Sequence, residues 1–203
     1  MEPRIARVVL LAGPSGSGKS YIARKTGLPV LALDDFYKDG DDPTLPTVGC
    51  AVDWDDPASW HHDAALAAIA TICAGRACDV PIYAIGADRC VGHRRFELGG
   101  APLFVAEGIF AAELVADCAR LGLLAGAYSL RRPRTVTYLR RLARDLSEKR
   151  KPPALLVRRG YALMRAEPGI SDRQRDLGAR PASGRRILRE VAAMTRAPSR
   201  TPA

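Results

Sequence analysis

From Ala6 to Gly13 the chain reads ARVVLLAG, a β-branched and leucine-rich run with one charge, stopped by glycine. That pattern predicts a strand covered on both faces. GKSYIARKTG (18–27) follows as a helix with a glycine at its end, and LPVLALDD (28–35) as a second buried strand. Residues 36–58, rich in Asp, Pro and Gly, read as a long loop, a length usually reserved for function. PASWHHDAALAAIATICAG (57–75) reads as a helix with proline near its start and glycine past its end. CDVPIYAI and APLFVAEG read as further strands, with a short hairpin within 90–100 between them. AAELVADCARLG is helical and LAGAYSL extended. RTVTYLRRLARDLSEKR (134–150) gathers Val136, Leu139, Leu142, Ala143 and Leu146 on one helical face, with Arg140, Arg141 and Arg144 on or beside the other. After KPP, helix resumes through ALLVRRGYALMRA, and a last helix covers about 184–196. Strands alternating with helices predict an α/β fold, a mostly parallel sheet with helices on both faces. No repeat or linker divides the chain, so residues 1–203 are expected to form one domain.

Composition narrows the class. Hydrophobic residues at 47% and charged residues at 26% exclude a disordered or fibrous chain. No run is long enough for a membrane helix, and the first apolar run leads into glycines with no cleavage site, so a cytoplasmic protein is expected. The five cysteines are scattered without metal spacing and are expected to be free thiols. Charge is uneven: residues 1–130 carry 11 Lys+Arg against 16 Asp+Glu, and residues 131–203 carry 20 against 6. The basic half suits a phosphorylated ligand or a nucleic acid. Aromatics at 6% and the lack of an RNA-binding aromatic motif or zinc finger count against nucleic acid.

GPSGSGKS carries the chemistry. Gly13, Gly18, Lys19 and Ser20 fit G-x-x-x-x-G-K-[ST] between a predicted strand and a predicted helix, the P-loop context. Backbone N–H groups of Gly13, Ser15, Gly16, Ser17, Gly18 and Tyr21 would cradle phosphates. Lys19 adds a point charge on the β/γ-phosphates, and the Ser20 hydroxyl is a ligand for Mg²⁺. The expected cofactors are ATP and Mg²⁺. No NKxD or DxxG string occurs, which excludes a GTPase switch. In a parallel sheet the ligand crevice lies at the carboxyl ends of the strands. The cradle, Asp34, Tyr83 and Glu107 are each expected to end a strand of that sheet and to converge there. Asp34 is placed to accept a hydroxyl proton and Glu107 to hold Mg²⁺.

The motifs GPSGSGKS, LDDFYKD, WDDPASW, VPIYAI, VAEGIF and RRLARDLSEKR follow the order and near the spacing of the uridine kinase and phosphoribulokinase group. The chain resembles that group over about residues 8–170. The resemblance implies a P-loop NTPase fold with an Arg-rich helical lid at about 140–160. It implies that Asp34 is the catalytic base, Tyr37 a substrate contact, Asp55 a ribose ligand, Tyr83 an acceptor contact and Glu107 the acidic metal residue. It puts Arg140, Arg141 and Arg144 in the lid. Of these, Arg140 and Arg144 would serve the phosphates and Arg141 the substrate, with Arg144 acting in catalysis beside Lys19. Ala84 stands where the group has aspartate and Ile85 where it has phenylalanine; Asp88 and Arg89 stand near its base-reading histidine.

The expected activity is transfer of the ATP γ-phosphate to a hydroxyl of a small molecule, a uridine- or cytidine-like nucleoside first. Pantothenate and sugar phosphates stay open as other acceptors, as does a nucleotide-binding regulatory or nucleic-acid-binding module without acceptor chemistry. A homo-oligomer is also left open. LGARPAS (177–183) is read as a loop against the adenine.

Overall fold

The computed structural model describes residues 5–132 and 169–196. The expected helices at 134–150 and 154–166, with Arg140, Arg141 and Arg144, lie outside the described residues.

In chain order the strands are β1 (Arg7–Ala12), β2 (Val30–Ala32), β3 (Thr47–Val48), β4 (Ala51–Val52), β5 (Cys78–Ala84), β6 (Arg89–Phe96), β7 (Leu103–Glu107), β8 (Leu124–Leu130) and β9 (Arg180–Ala182). The helices are α1 (Lys19–Lys25), α2 (His62–Cys73), α3 (Val115–Arg120), α4 (helical residues 169–176) and α5 (Gly184–Arg196). Five strands form a parallel sheet in the order β2-β7-β1-β8-β9. With the helices it makes the expected α/β fold.

Side chains alternate across β1. Val8, Leu10 and Ala12 enter a core with Leu31, Ile69, Ile72, Phe104 and Cys118, beneath α2 and α3. Val9 and Leu11 point the other way, onto Ile22, Val105, Tyr128, Ile187 and Val191, beneath α1 and α5. Each such fully buried aliphatic chain contributes about 2 kcal/mol of transfer free energy. Two covered faces explain why β1 reads as an unbroken apolar run.

Register sets the site. Glu107 at the end of β7 stands level with Leu11 of β1 and Ala32 of β2. The loops that leave β1 and β2 therefore emerge at one edge, beside Glu107.

Several boundaries differ from the sequence reading. The second strand stops at Ala32, and Leu33–Phe36 tighten into a 3-10 turn that carries Asp34. The Trp60 indole N–H donates to the Leu33 carbonyl at 2.7 Å, with its ring 5.8 Å from Phe110, so the turn is clamped from below. Trp60→Phe keeps an aromatic ring but loses part of the indole's bulk and leaves that buried carbonyl without its N–H donor. A loss of about 2 kcal/mol in urea unfolding is expected. Helix α2 begins at His62; Pro57–Ser59 form a separate turn whose Ala58 N–H bonds to Asp56 at 2.8 Å.

β5 and β6 are outside the parallel sheet. They pair with each other, antiparallel, from Cys78↔Phe96 to Ala84↔Arg89, so the hairpin expected within 90–100 spans residues 78–96 instead. LGARPAS contains an edge strand, β9, in place of the expected loop. Pro181 is tolerated there because an edge strand has no outer neighbour to receive its missing N–H. All five cysteines are free, as expected. Among the described residues no helix is long and apolar enough to cross a membrane.

Candidate active site

Between β1 and α1 the backbone folds back on itself. Gly18 has φ +90°, a left-handed conformation that costs glycine little and other residues more, and α1 begins at the next residue. Lys19 is thereby buried, at 6% exposure, and its ammonium lies 3.9 Å from Asp34 Oδ2. The carboxylate after β2 is thus within reach of the lysine after β1.

Asp34 is held by its other oxygen. Oδ1 accepts the Ile109 N–H at 3.0 Å, and Gly108 just before it lets this contact form. A Cβ at Gly108 would stand 2.8 Å from that same Oδ1 and from Leu33 Cβ. Gly108 in turn donates its N–H to Leu11 O at 3.2 Å, tying the loop after β7 to β1. Asp34 Oδ2 is left facing Lys19.

Glu107 is buried between Lys19 and the Ser20 hydroxyl, which donates to it. Burial raises its carboxyl above the usual glutamate range; Lys19 and the Ser20 bond pull it down and Asp34 pushes it up. Glu107 Oε2 and Ser17 Oγ are both buried without a hydrogen-bond partner. Orphaned polar atoms at this depth cost stability unless a ligand answers them. A carboxylate oxygen suits a cation or its water, and a hydroxyl suits a phosphate oxygen, so these residues fit a triphosphate with Mg²⁺. Among the described residues no three His, Cys, Asp or Glu cluster as a metal cage. Magnesium held by few protein groups and by substrate phosphates needs none.

The raised Glu107 carboxyl carries a consequence for stability. The folded protein holds this proton more tightly than the unfolded chain, so Glu107 favours folding at low pH. That contribution is lost as pH rises from the ordinary glutamate range through its higher folded value. In ligand-free protein, Glu107→Gln is expected to be more stable than the parent by about 1 kcal/mol at pH 7.5. Urea midpoints should converge as pH falls to 4.

Beside Asp34 the site is aromatic and acidic. The Tyr37 ring lies 5.7 Å from Trp54 and from Tyr83 and 5.8 Å from Phe110, and its hydroxyl donates to Trp54 O at 3.1 Å. Burial raises the Tyr37 phenol strongly, with Asp34 and then Asp55 adding to the shift. Asp55 is exposed at the rim, its N–H on Asp53 Oδ1. Tyr83 does not end a strand of the parallel sheet; it reaches the site from the hairpin. Its hydroxyl donates to Lys38 O at 3.1 Å, and burial, then Asp88 and Asp39, push the phenol up to about 12.

Two acids that the sequence reading did not single out hold this hairpin in place. Asp35 accepts the Tyr83 N–H at 3.3 Å and the Arg94 guanidinium at 3.4 Å, and Asp39 accepts the Cys90 N–H at 2.7 Å. The doubled Asp34-Asp35 was the only signal of that anchor. Arg89 is exposed on β6, and no ion pair of Arg89 is found among the described residues; Asp88 before it has φ +48°. Tyr21 is exposed on α1, with Lys25 Nζ 5.0 Å over its ring. The structure thus brings together Lys19, Ser20, Asp34 and Glu107 around one point and Tyr37, Trp54 and Tyr83 beside it. Arg89 and Tyr21 stay at the surface.

No family model matches the chain. It is 32% identical over 120 residues to a uridine kinase of Schizosaccharomyces pombe, covering 53% of this chain and 25% of that one. It is 33% identical over 108 residues to the inorganic pyrophosphatase TTM1 of Arabidopsis thaliana, covering 51% and 16%. A uridine kinase of Tolumonas auensis is 28% identical over 154 residues, covering 70% and 69%. The chain therefore spans only a quarter of the first relative's length and 16% of the second's. Its fold matches a crystal structure named as a fructose transport system kinase from Silicibacter sp. TM1040. The TM-score is 0.64 at 16% identity, over 90% of this chain and 89% of that one. The chain is thus similar in sequence to uridine kinases, and its five-stranded parallel sheet with the glycine-rich loop after β1 has the α/β fold of a P-loop protein.

Proposed function

We propose that the chain uses ATP and Mg²⁺ to phosphorylate a hydroxyl of a small, nucleoside-like molecule. The observation that carries this reading is the Asp34 carboxylate, anchored by one oxygen to Ile109 N–H and presenting the other 3.9 Å from Lys19. Such an oxygen accepts a proton from an attacking hydroxyl without itself having to be oriented at the moment of reaction.

In this reading Lys19 and the 13–21 loop hold the triphosphate, with Ser17 Oγ as one donor. Ser20 and Glu107 hold the metal ion, which when bound neutralises charge on the β- and γ-phosphates. Asp34 Oδ2 takes the hydroxyl proton. Tyr37, Trp54 and Tyr83 shape an apolar wall against which a sugar or base stacks, and Asp55 meets sugar hydroxyls at the rim. Arg140, Arg141 and Arg144 are assigned to the lid, with Arg144 on the transferring phosphoryl group.

The acceptor is tested by ADP release with a panel of uridine, cytidine, purine nucleosides, fructose, pantothenate and ribulose 5-phosphate. Pyrimidine nucleosides are expected to raise release well above ATP alone. Release unchanged by every hydroxyl compound would overturn the kinase reading. A second reading, a different hydroxyl acceptor, is favoured by one observation. Ala84 offers no hydrogen bond to a base, and Ile85 stands 53% exposed at the hairpin turn. A response to fructose or pantothenate alone would select it.

A further inference from the structure

Six polar or charged residues are buried among the described residues: Ser17, Lys19, Ser59, Glu107, Ser129 and Gln174. Ser17, Lys19 and Glu107 belong to the candidate active site, and Ser59 bonds to Asp56 O within its own turn. The other two bond to each other. Ser129 Oγ, on β8, donates to Gln174 Oε1, on α4, at 2.7 Å. Gln174 Nε2 then donates to Ile109 O at 3.2 Å. Ile109 is the residue whose N–H grips Asp34.

The amide of one glutamine therefore joins three elements: α4, β8 and the loop after β7. Gly108 N–H is fixed on Leu11 O, Gly108 O accepts the Ala111 N–H at 3.3 Å, and Ile109 C=O is fixed on Gln174, so the peptide that aims the Ile109 N–H at Asp34 is held in itself and on both flanks. Filling this space needs no polarity. Two apolar side chains of matching shape would fill it, but they would leave the Ile109 carbonyl without its donor. What the polar pair adds is direction. Gln174 also lies on the first helix after residues 133–168, the stretch that holds Arg140, Arg141 and Arg144.

We propose that Gln174 is a positioning residue for phosphoryl transfer: through Ile109 it sets the direction of the hydrogen bond that holds the Asp34 carboxylate. This rests on the reading of Asp34 as the base. Gln174 touches no substrate and acts only through the Ile109 peptide.

Two measurements test it on the full chain. Amide exchange followed by NMR reads the Ile109 N–H directly. In Gln174→Met, which keeps length and loses both bonds, that amide is expected to exchange about ten-fold faster, with Val105 unchanged. Turnover with ATP and uridine is expected to fall about ten-fold, with KM for ATP within about two-fold. Ser129→Ala, a milder change that decides the matter if Gln174→Met does not fold, should move both readouts in the same direction by a smaller factor. Ser129→Thr, which restores the hydroxyl, should return both to the parent values. Ile109 exchange unchanged in the variant that folds would overturn the proposal. So would a rise in KM for ATP at constant kcat. If exchange responds as expected but Asp34→Asn keeps full turnover, the assignment of the base fails instead, and the two failures are told apart.

Discussion

Asp34→Asn is expected to lose about a thousand-fold in turnover while ATP affinity stays within a few-fold of the parent or tightens. The substitution keeps shape, and the amide oxygen still accepts the Ile109 N–H that now meets Oδ1. What disappears is the basicity of the oxygen facing Lys19. The negative charge beside the expected γ-phosphate also disappears, which removes a repulsion from bound triphosphate. A defect confined to binding would leave kcat intact, and single-turnover kinetics with titration of ATP–Mg²⁺ separates the two. Undiminished turnover would remove Asp34 from the chemistry.

Lys19→Met is the second large effect, and it strikes binding and chemistry together. Lys19 is 6% exposed, and its ammonium lies 3.9 Å from Asp34 and beside the buried Glu107. Under the proposed function its loss deletes a charge-assisted bond to phosphate worth about 1.5–3 kcal/mol, so ATP affinity should drop between about ten- and a hundred-fold. It also deletes the cation that holds Glu107 down, so the Glu107 carboxyl moves further up and becomes a poorer metal ligand at neutral pH. Calorimetry should therefore show the ATP–Mg²⁺ affinity falling further than that of metal-free ATP. Lys19→Arg is not expected to rescue, because a planar guanidinium fork does not replace a compact ammonium at this buried position beside Asp34. Equal losses for both forms of ATP would break the link to Glu107.

The phosphate half of this site was legible because it is written locally. A strand, a glycine-rich turn and Lys-Ser occupy contiguous residues, and glycine at position 18 permits the left-handed conformation observed before α1. Asp34 was legible for a related reason, since parallel strands in register put their ends at one edge. Its detailed setting was not. LPVLALDD looks extended throughout, yet tertiary contacts from Trp60 and Ile109 wind its last residues into a 3-10 turn. Periodicity marked CDVPIYAI as a strand but carries no information on which strand it pairs with. β9 escaped because three residues with a central proline give no strand pattern. Gln174 escaped because a lone glutamine in a helix is ordinary until its two partners, 45 and 65 residues away, are known.

The separateness of the β5–β6 ladder divides labour between two pieces of the molecule. No rung of the five-stranded sheet depends on residues 78–96, which are fastened at one end by Asp35 and Asp39. Under the proposed function, exchanging side chains at Ala84, Ile85 or Arg89 is therefore expected to change the acceptor while the sheet that carries Lys19, Asp34 and Glu107 keeps its shape.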